Sequence, residues 1–212
     1  MSANQTPLRP NPEFAVSATR ERLESVAEAL RDNGMRAMIA ADGAEAKRLV
    51  LEQLPDGGHV HQGASVTLDS IGVTEAIEQS GRYETVRPKL YALDRETQMD
   101  EIRRLGAAPD YMLGSVHAVT DDGSLVVASA SGSQIGAYAS GAGQVILVVG
   151  SQKVVPDLET ALRRISEYTF PLEDERAQAA YGMHSALNQL LVINGSRPGR
   201  ITVILIDEPL GF

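Results

Sequence analysis

Residues 13–62 read EFAVSATRERLESVAEALRDNGMRAMIAADGAEAKRLVLEQLPDGGHVHQ, and this stretch decides the fold class. From Glu13, apolar residues recur at Val16, Leu23, Val26, Ala27 and Leu30, the spacing of one helix face, and the pattern closes at Asn33–Gly34. A short apolar run, Met35 to Ala40, ends at Asp42–Gly43. A second helical pattern, Glu45 to Leu54, stops at Pro55-Asp56-Gly57-Gly58, and His59 to Gln62 reads as a short strand. Helix, strand, helix, strand is the rhythm of a parallel sheet with crossover helices.

Working outward, the segment from Ser65 to Leu105 is polar and helical, with a break between Gly81 and Lys89. Tyr111 to Val119, the turn Asp121-Asp122-Gly123 and the run Leu125 to Ala128 read as a hairpin, which makes the sheet mixed. A short helix to Ala139, a strand Gln144 to Val149, and helices Asp157 to Tyr168 and Leu172 to Ala180 come next. Leu190 to Ile193 and Ile201 to Ile206, joined by the turn-rich Asn194 to Gly199, read as a second hairpin. Residues 1–12, with three prolines, read as a flexible tail, and 13–212 as one α/β domain. Its expected architecture is a mostly parallel central sheet flanked by helices, with an antiparallel hairpin and an N-terminal helix.

An apolar content of 43% supports a core of that size. The net charge of -9, with no cluster of Lys and Arg, excludes a nucleic-acid surface. With no cysteine, this chain alone can hold neither a disulfide nor an iron–sulfur cluster. No signal peptide is legible, and the longest apolar runs are strand length, so a cytoplasmic protein away from membranes is expected.

Ser129-Ala130-Ser131-Gly132-Ser133-Gln134 lies between a strand and a helix. Unpaired amides and the dipole at a helix start favour an anion, and the serine hydroxyls add donors. A serine in that place also simply caps a helix. Gln62-Gly63-Ala64-Ser65-Val66-Thr67 repeats the pattern, and both turns fall at strand C-termini, where open α/β sheets place ligands. Gly63, Ser65, Thr67, Ser131, Gly132, Ser133 and Gln134 are therefore expected to bind a small anion. Arg200, beside Pro198–Gly199, offers a guanidinium to the same ligand, or is a surface arginine on a loop.

His117 precedes the acidic turn of Asp121 and Asp122, and these three are the candidates for acid–base work, the alternative being a histidine hydrogen-bonded within its strand. His59 and His61, two apart on a strand, share one side and form only a weak metal pair. No metal or other cofactor is expected.

Several ordered blocks carry a resemblance. They are Gln62 to Gly72, Leu113 to Gly123, Ala130 to Gln134, Val148-Val-Gly-Ser-Gln-Lys-Val-Val155, Pro171 to Arg176, and the ending Pro198 to Phe212. In this order they resemble the LUD-domain proteins, the group that contains lactate utilisation protein C. The resemblance implies the NagB/RpiA/CoA transferase-like fold, shared by glucosamine-phosphate deaminases, ribose-phosphate isomerases and CoA transferases. It also implies a link to oxidation of L-lactate to pyruvate alongside iron–sulfur partner proteins. The chain departs from the family pattern at Gly58-His59-Val60-His61-Gln62-Gly63, so the two histidines read as peculiar to this chain or its near relatives.

Two functions are compatible with these readings. In one, the domain binds a carboxylate, sugar phosphate or acyl-CoA at its Gly/Ser turns. In the other, it is a non-catalytic subunit that organises the iron–sulfur proteins. Whether a reaction accompanies binding is open, as is self-association into a homo-oligomer.

Overall fold

The computed structural model describes residues 9–94 and 96–212. The first eight residues of the expected tail lie outside the described residues. Asn11 is docked: its backbone N–H donates to the Glu167 carbonyl at 2.8 Å and its side chain to the Glu167 carboxylate at 2.9 Å.

Six parallel strands form the central sheet, in the order β1-β10-β7-β4-β2-β3. They are β1 (Arg36–Ala40), β2 (His59–Gln62), β3 (Glu84–Thr85), β4 (Tyr111–Gly114), β7 (Gln144–Gly150) and β10 (Ile201–Ile206). The middle strands are buried on both faces, which is why they read as unbroken apolar runs. Val145, Leu147 and Val149 of β7 and Val203 and Leu205 of β10 face one core cluster with Leu23, Val26 and Leu30 of α1 (Arg20–Asp32). Ile146, Val148, Ile204 and Ile206 face the other, with Val50 of α2 (Gly43–Glu52), Leu68 of α3 (Val66–Ser70) and Ile77 of α4 (Val73–Gln79). Burying each such side chain stabilises the fold by about 1.5–3 kcal/mol.

A smaller mixed sheet has the order β8-β5-β6-β9, from β5 (Ala118–Thr120), β6 (Leu125–Ser129), β8 (Val154–Val155) and β9 (Gln189–Ile193). Leu125 and Val127 turn inward to α1 and the central sheet. Val126 and Ala128 turn outward against Ala161 of α7 (Leu158–Arg164) and Ile165.

The helix ends obey local chemistry. Thr19, Asp42 and Asp157 accept N–H bonds from Arg22, Glu45 and Thr160 at 3.3, 2.8 and 2.7 Å, each cap worth about 1 kcal/mol. Past α1, Gly34 adopts φ +81°, and a Cβ there would sit 2.3 Å from the Ser196 carbonyl oxygen, so only glycine fits.

Two expectations change. Tyr111 to Val119 is not one hairpin arm: β4 joins the central sheet, and only β5 pairs antiparallel with β6. Leu190–Ile193 and Ile201–Ile206 are not a hairpin, because β9 lies at the edge of the small sheet while β10 is inserted between β1 and β7. The helical middle resolves into α3, α4, α5 (Val86–Ala92) and α6 (Met99–Ala107), and the two late helices run on through a π-helical turn, Ile165–Thr169, into α8 (Phe170–Tyr181). Among the described residues, no helix is long and apolar enough to cross a membrane.

Candidate functional site

Three neighbouring strands deliver the site. β2 ends at Gln62, β4 at Gly114 and β7 at Gly150, and the segment leaving each strand enters one cleft: Gly63 to Thr67, Ser115 to His117, and Lys153. β6 ends at Ser129 and contributes the turn up to Gln134, while Ser185 to Leu187 and Phe212 close the margin. The cleft encloses about 230 Å³. It lies at the carboxyl ends of the parallel strands, as in other open α/β sheets.

Lys153 is the group on which this cleft turns. It is 2% exposed, and its Nζ donates to Thr67 Oγ1 and Ser115 Oγ, both at 3.0 Å. Among the described residues no carboxylate pairs with it. Burial, and then the nearby Arg164 guanidinium, push its pKa down from 10.5 to about 7.

Arg164, wholly buried on α7, binds the residues that frame the cleft. Its Nε donates to the Gln152 carbonyl at 3.2 Å, and its Nη1 to the His117 carbonyl and to Thr169 Oγ1 at 3.0 Å. Burial lowers its own pKa to about 10, which leaves it charged at neutral pH.

His117 lines the cleft and accepts the Ala128 backbone N–H at Nδ1, 3.1 Å away, so its neutral ring carries the proton on Nε2. Burial, then Lys153, then Arg164 depress its pKa to about 3. It is thus a hydrogen-bond donor at neutral pH rather than a base awaiting a proton.

The chain ending packs over Lys153. Gln152 Nε2 donates to the carbonyls of Leu210 and Gly211 at 3.1 and 2.8 Å. At Gly211, φ is +70° and an added Cβ would stand 2.1 Å from Thr67 Oγ1 and 3.2 Å from Lys153 Nζ.

The structure brings together Gly63, Ser65, Thr67, His117, Ser131, Ser133 and Gln134, all of which line the cleft. Ser65 also caps α3, accepting the Leu68 N–H at 3.3 Å. The Ser131 turn is tied internally, Ser129 Oγ accepting the Gly132 N–H at 2.9 Å and donating to Gln134 Oε1 at 3.0 Å. Gly132 itself faces the Gln189 side chain instead of the cleft.

Other candidates lie elsewhere. Asp121 pairs with Arg22 at 2.8 Å on the surface, and Asp122 accepts the Thr120 hydroxyl and the Ser124 N–H to pin the β5–β6 turn. Neither partners His117. Arg200 points into the protein, donating to the carbonyls of Ala137, Tyr138 and Ala142 at the π-helical turn Ala137–Gly141. His61 is buried with Nδ1 unpartnered, its pKa lowered to about 4 by burial, then by Arg87 and His59. Among the described residues, no group of three His, Asp or Glu could hold a metal ion with it.

Lys153 and Arg164 were not legible as site residues. One signal existed for the lysine: Gly150-Ser-Gln-Lys153 sits between Val149 and Val154-Val155, and a lone cation inside an apolar run must find buried partners.

The LUD domain family model matches residues 23–206. The chain belongs to the LUD-domain family. The matched span contains every residue lining the LUD-domain cleft except Phe212. None of the curated proteins matches this LUD domain. Among solved structures it is similar to a DUF162 family protein from Deinococcus radiodurans, with a TM-score of 0.51 and 14% identity over 88% of this chain and 96% of that one. At that identity the likeness concerns the fold alone.

Proposed function

We propose that the cleft of this LUD domain binds a small organic anion, with Lys153 as its counter-charge. The observation that carries the reading is a buried ammonium whose protein partners are two hydroxyls and no carboxylate. A buried charge without an opposite charge is costly, and an anion from solution supplies one. Ser65, Ser131 and Ser133 add hydroxyl donors, and the Nε2 proton of His117 adds another. The volume of about 230 Å³ is below the ~300–1,000 Å³ of pockets for drug-sized ligands, which favours a compact carboxylate over a sugar phosphate or a whole acyl-CoA. Lactate and pyruvate are carboxylates of this kind, in keeping with the lactate-utilisation role that the family resemblance implies.

A thermal-shift series with lactate, pyruvate, acetate and phosphate tests the reading. A ligand at 100 times its Kd stabilises the native state by about 2.7 kcal/mol. Stabilisation of the wild type by at least one carboxylate, lost in Lys153→Met, is the expected outcome. Equal stabilisation of both proteins would remove Lys153 from the site.

A second reading, a subunit that holds iron–sulfur partner proteins, has one observation in its favour. Leu190 and Val192 of the edge strand β9 are 54% and 37% exposed, and Leu187 beside them is 43% exposed. Co-purification with such proteins, abolished by Leu190→Lys, is its test.

A further inference from the structure

Resting on the anion-binding reading, we propose that Lys153 is a nucleophile that forms an imine with a small aldehyde or ketone bearing a carboxylate. Four observations point the same way. The amine is primary and borders the cleft. Its partners are the hydroxyls of Thr67 and Ser115, which accept from an ammonium and equally donate to a neutral amine, so either protonation state is satisfied. No carboxylate holds it in the charged form among the described residues. The buried Arg164 guanidinium, fixed by the carbonyls of Gln152 and His117, keeps a second positive charge beside it. Desolvation and a neighbouring cation are the two devices that make a lysine nucleophilic at neutral pH, and both act here.

The step balances without a further reactant. The Nζ lone pair attacks the carbonyl carbon, and the C=O π pair moves onto oxygen to give a carbinolamine. That oxygen leaves as water, carrying both protons that the amine gives up, and the C=N bond forms. The hydroxyls of Thr67 and Ser115, each 3.0 Å from Nζ, are the groups placed to relay those protons. The Lys153 ammonium draws the anionic substrate into the cleft. Once the amine has given up its proton it attacks, and the substrate carboxylate is then held by the hydroxyls of Ser65, Ser131 and Ser133, which line the same cleft.

The chain has three lysines, Lys47, Lys89 and Lys153, which makes the test simple to read. The intact protein is incubated with glyoxylate and cyanoborohydride, and reduced adducts are located by peptide mass spectrometry. One dominant adduct on Lys153 is expected, formed on the order of tenfold or more faster than with acetaldehyde, because a cleft of matching charge concentrates the anionic aldehyde. Acetate, which occupies the cleft without a carbonyl to attack, slows it. Lys153→Arg, which keeps the charge, loses the adduct. Labelling confined to Lys47 and Lys89, or equal rates for both aldehydes, overturns the proposal. Thermal stabilisation by glyoxylate without any adduct on Lys153 overturns the imine and leaves the anion site standing; neither stabilisation nor adduct overturns both.

Discussion

Arg164 and Lys153 are two buried cations of one site, and the Arg164 guanidinium donates at 3.2 Å to the carbonyl of Gln152, the residue immediately before the lysine. The contact anchors the lysine's backbone, and the charge disfavours its ammonium. Burial is the larger cause of the lowered Lys153 pKa, and Arg164 the second. Removing the charge in Arg164→Met should therefore raise that pKa only part of the way towards 10.5. Arg164→Lys should hold it near the wild-type value. The pH dependence of acylation at Lys153, read by mass spectrometry, checks both variants.

Two histidines, the buried His61 and the half-buried His117, make the fold acid-sensitive. His117 and His61 have folded pKa values near 3 and 4, against 6.5 when unperturbed. Between those values the unfolded chain binds protons that the native protein refuses, so stability falls as pH drops from about 6.5 towards 4. His61→Gln removes one of these sites and should show a shallower loss of urea stability between pH 7 and pH 4.5 than the wild type. Equal slopes would mean that His61 is protonated in the native state.

Gly211 is close-packed against the site. A methyl group there would overlap Thr67 Oγ1 and crowd Lys153, at a φ of +70° that alanine disfavours. Gly211→Ala should cost about 1–3 kcal/mol, and should weaken carboxylate-induced stabilisation as well. Calorimetry with and without the ligand separates the two effects.

Arg200 and Asp121 should affect folding but not binding. Arg200 serves three backbone carbonyls in the interior, of which that of Ala137 also accepts the Ala142 N–H, so Arg200→Met strips the side-chain donor from those of Tyr138 and Ala142 at about 1–3 kcal/mol each at most. Asp121→Asn breaks an exposed pair with Arg22 and should cost less than about 1 kcal/mol. In both variants the stabilisation by a carboxylate should match the wild type, which a thermal-shift comparison reads directly.

Much of the architecture was legible because burial on both faces writes itself as an apolar run. Val145 to Val149 and Ile201 to Ile206 read as buried strands, and both are. The partner of each was not legible. The turn-rich Asn194 to Gly199 looks the same whether it joins two strands of one sheet or carries the chain from β9 to the middle of another. Ser65 and Ser131 were readable from strand-end chemistry, since glycine and hydroxyls mark those turns. Lys153 was not, because its partners Thr67 and Ser115 lie 86 and 38 positions away and meet it only once β2, β4 and β7 are neighbours. Arg200 misled for the converse reason: a guanidinium after Pro–Gly looks solvent-facing until the carbonyls of the π-helical turn are seen behind it.

The protonation of Lys153 is the quantity on which binding and nucleophilicity both depend. With only three lysines, NMR of the isotope-labelled ε-methylene groups tracks each through a pH titration. The free protein should show Lys153 titrating near pH 7, with lactate or acetate moving the midpoint upward as the anion favours the ammonium. A Lys153 midpoint close to 10.5, unmoved by any carboxylate, would contradict the site.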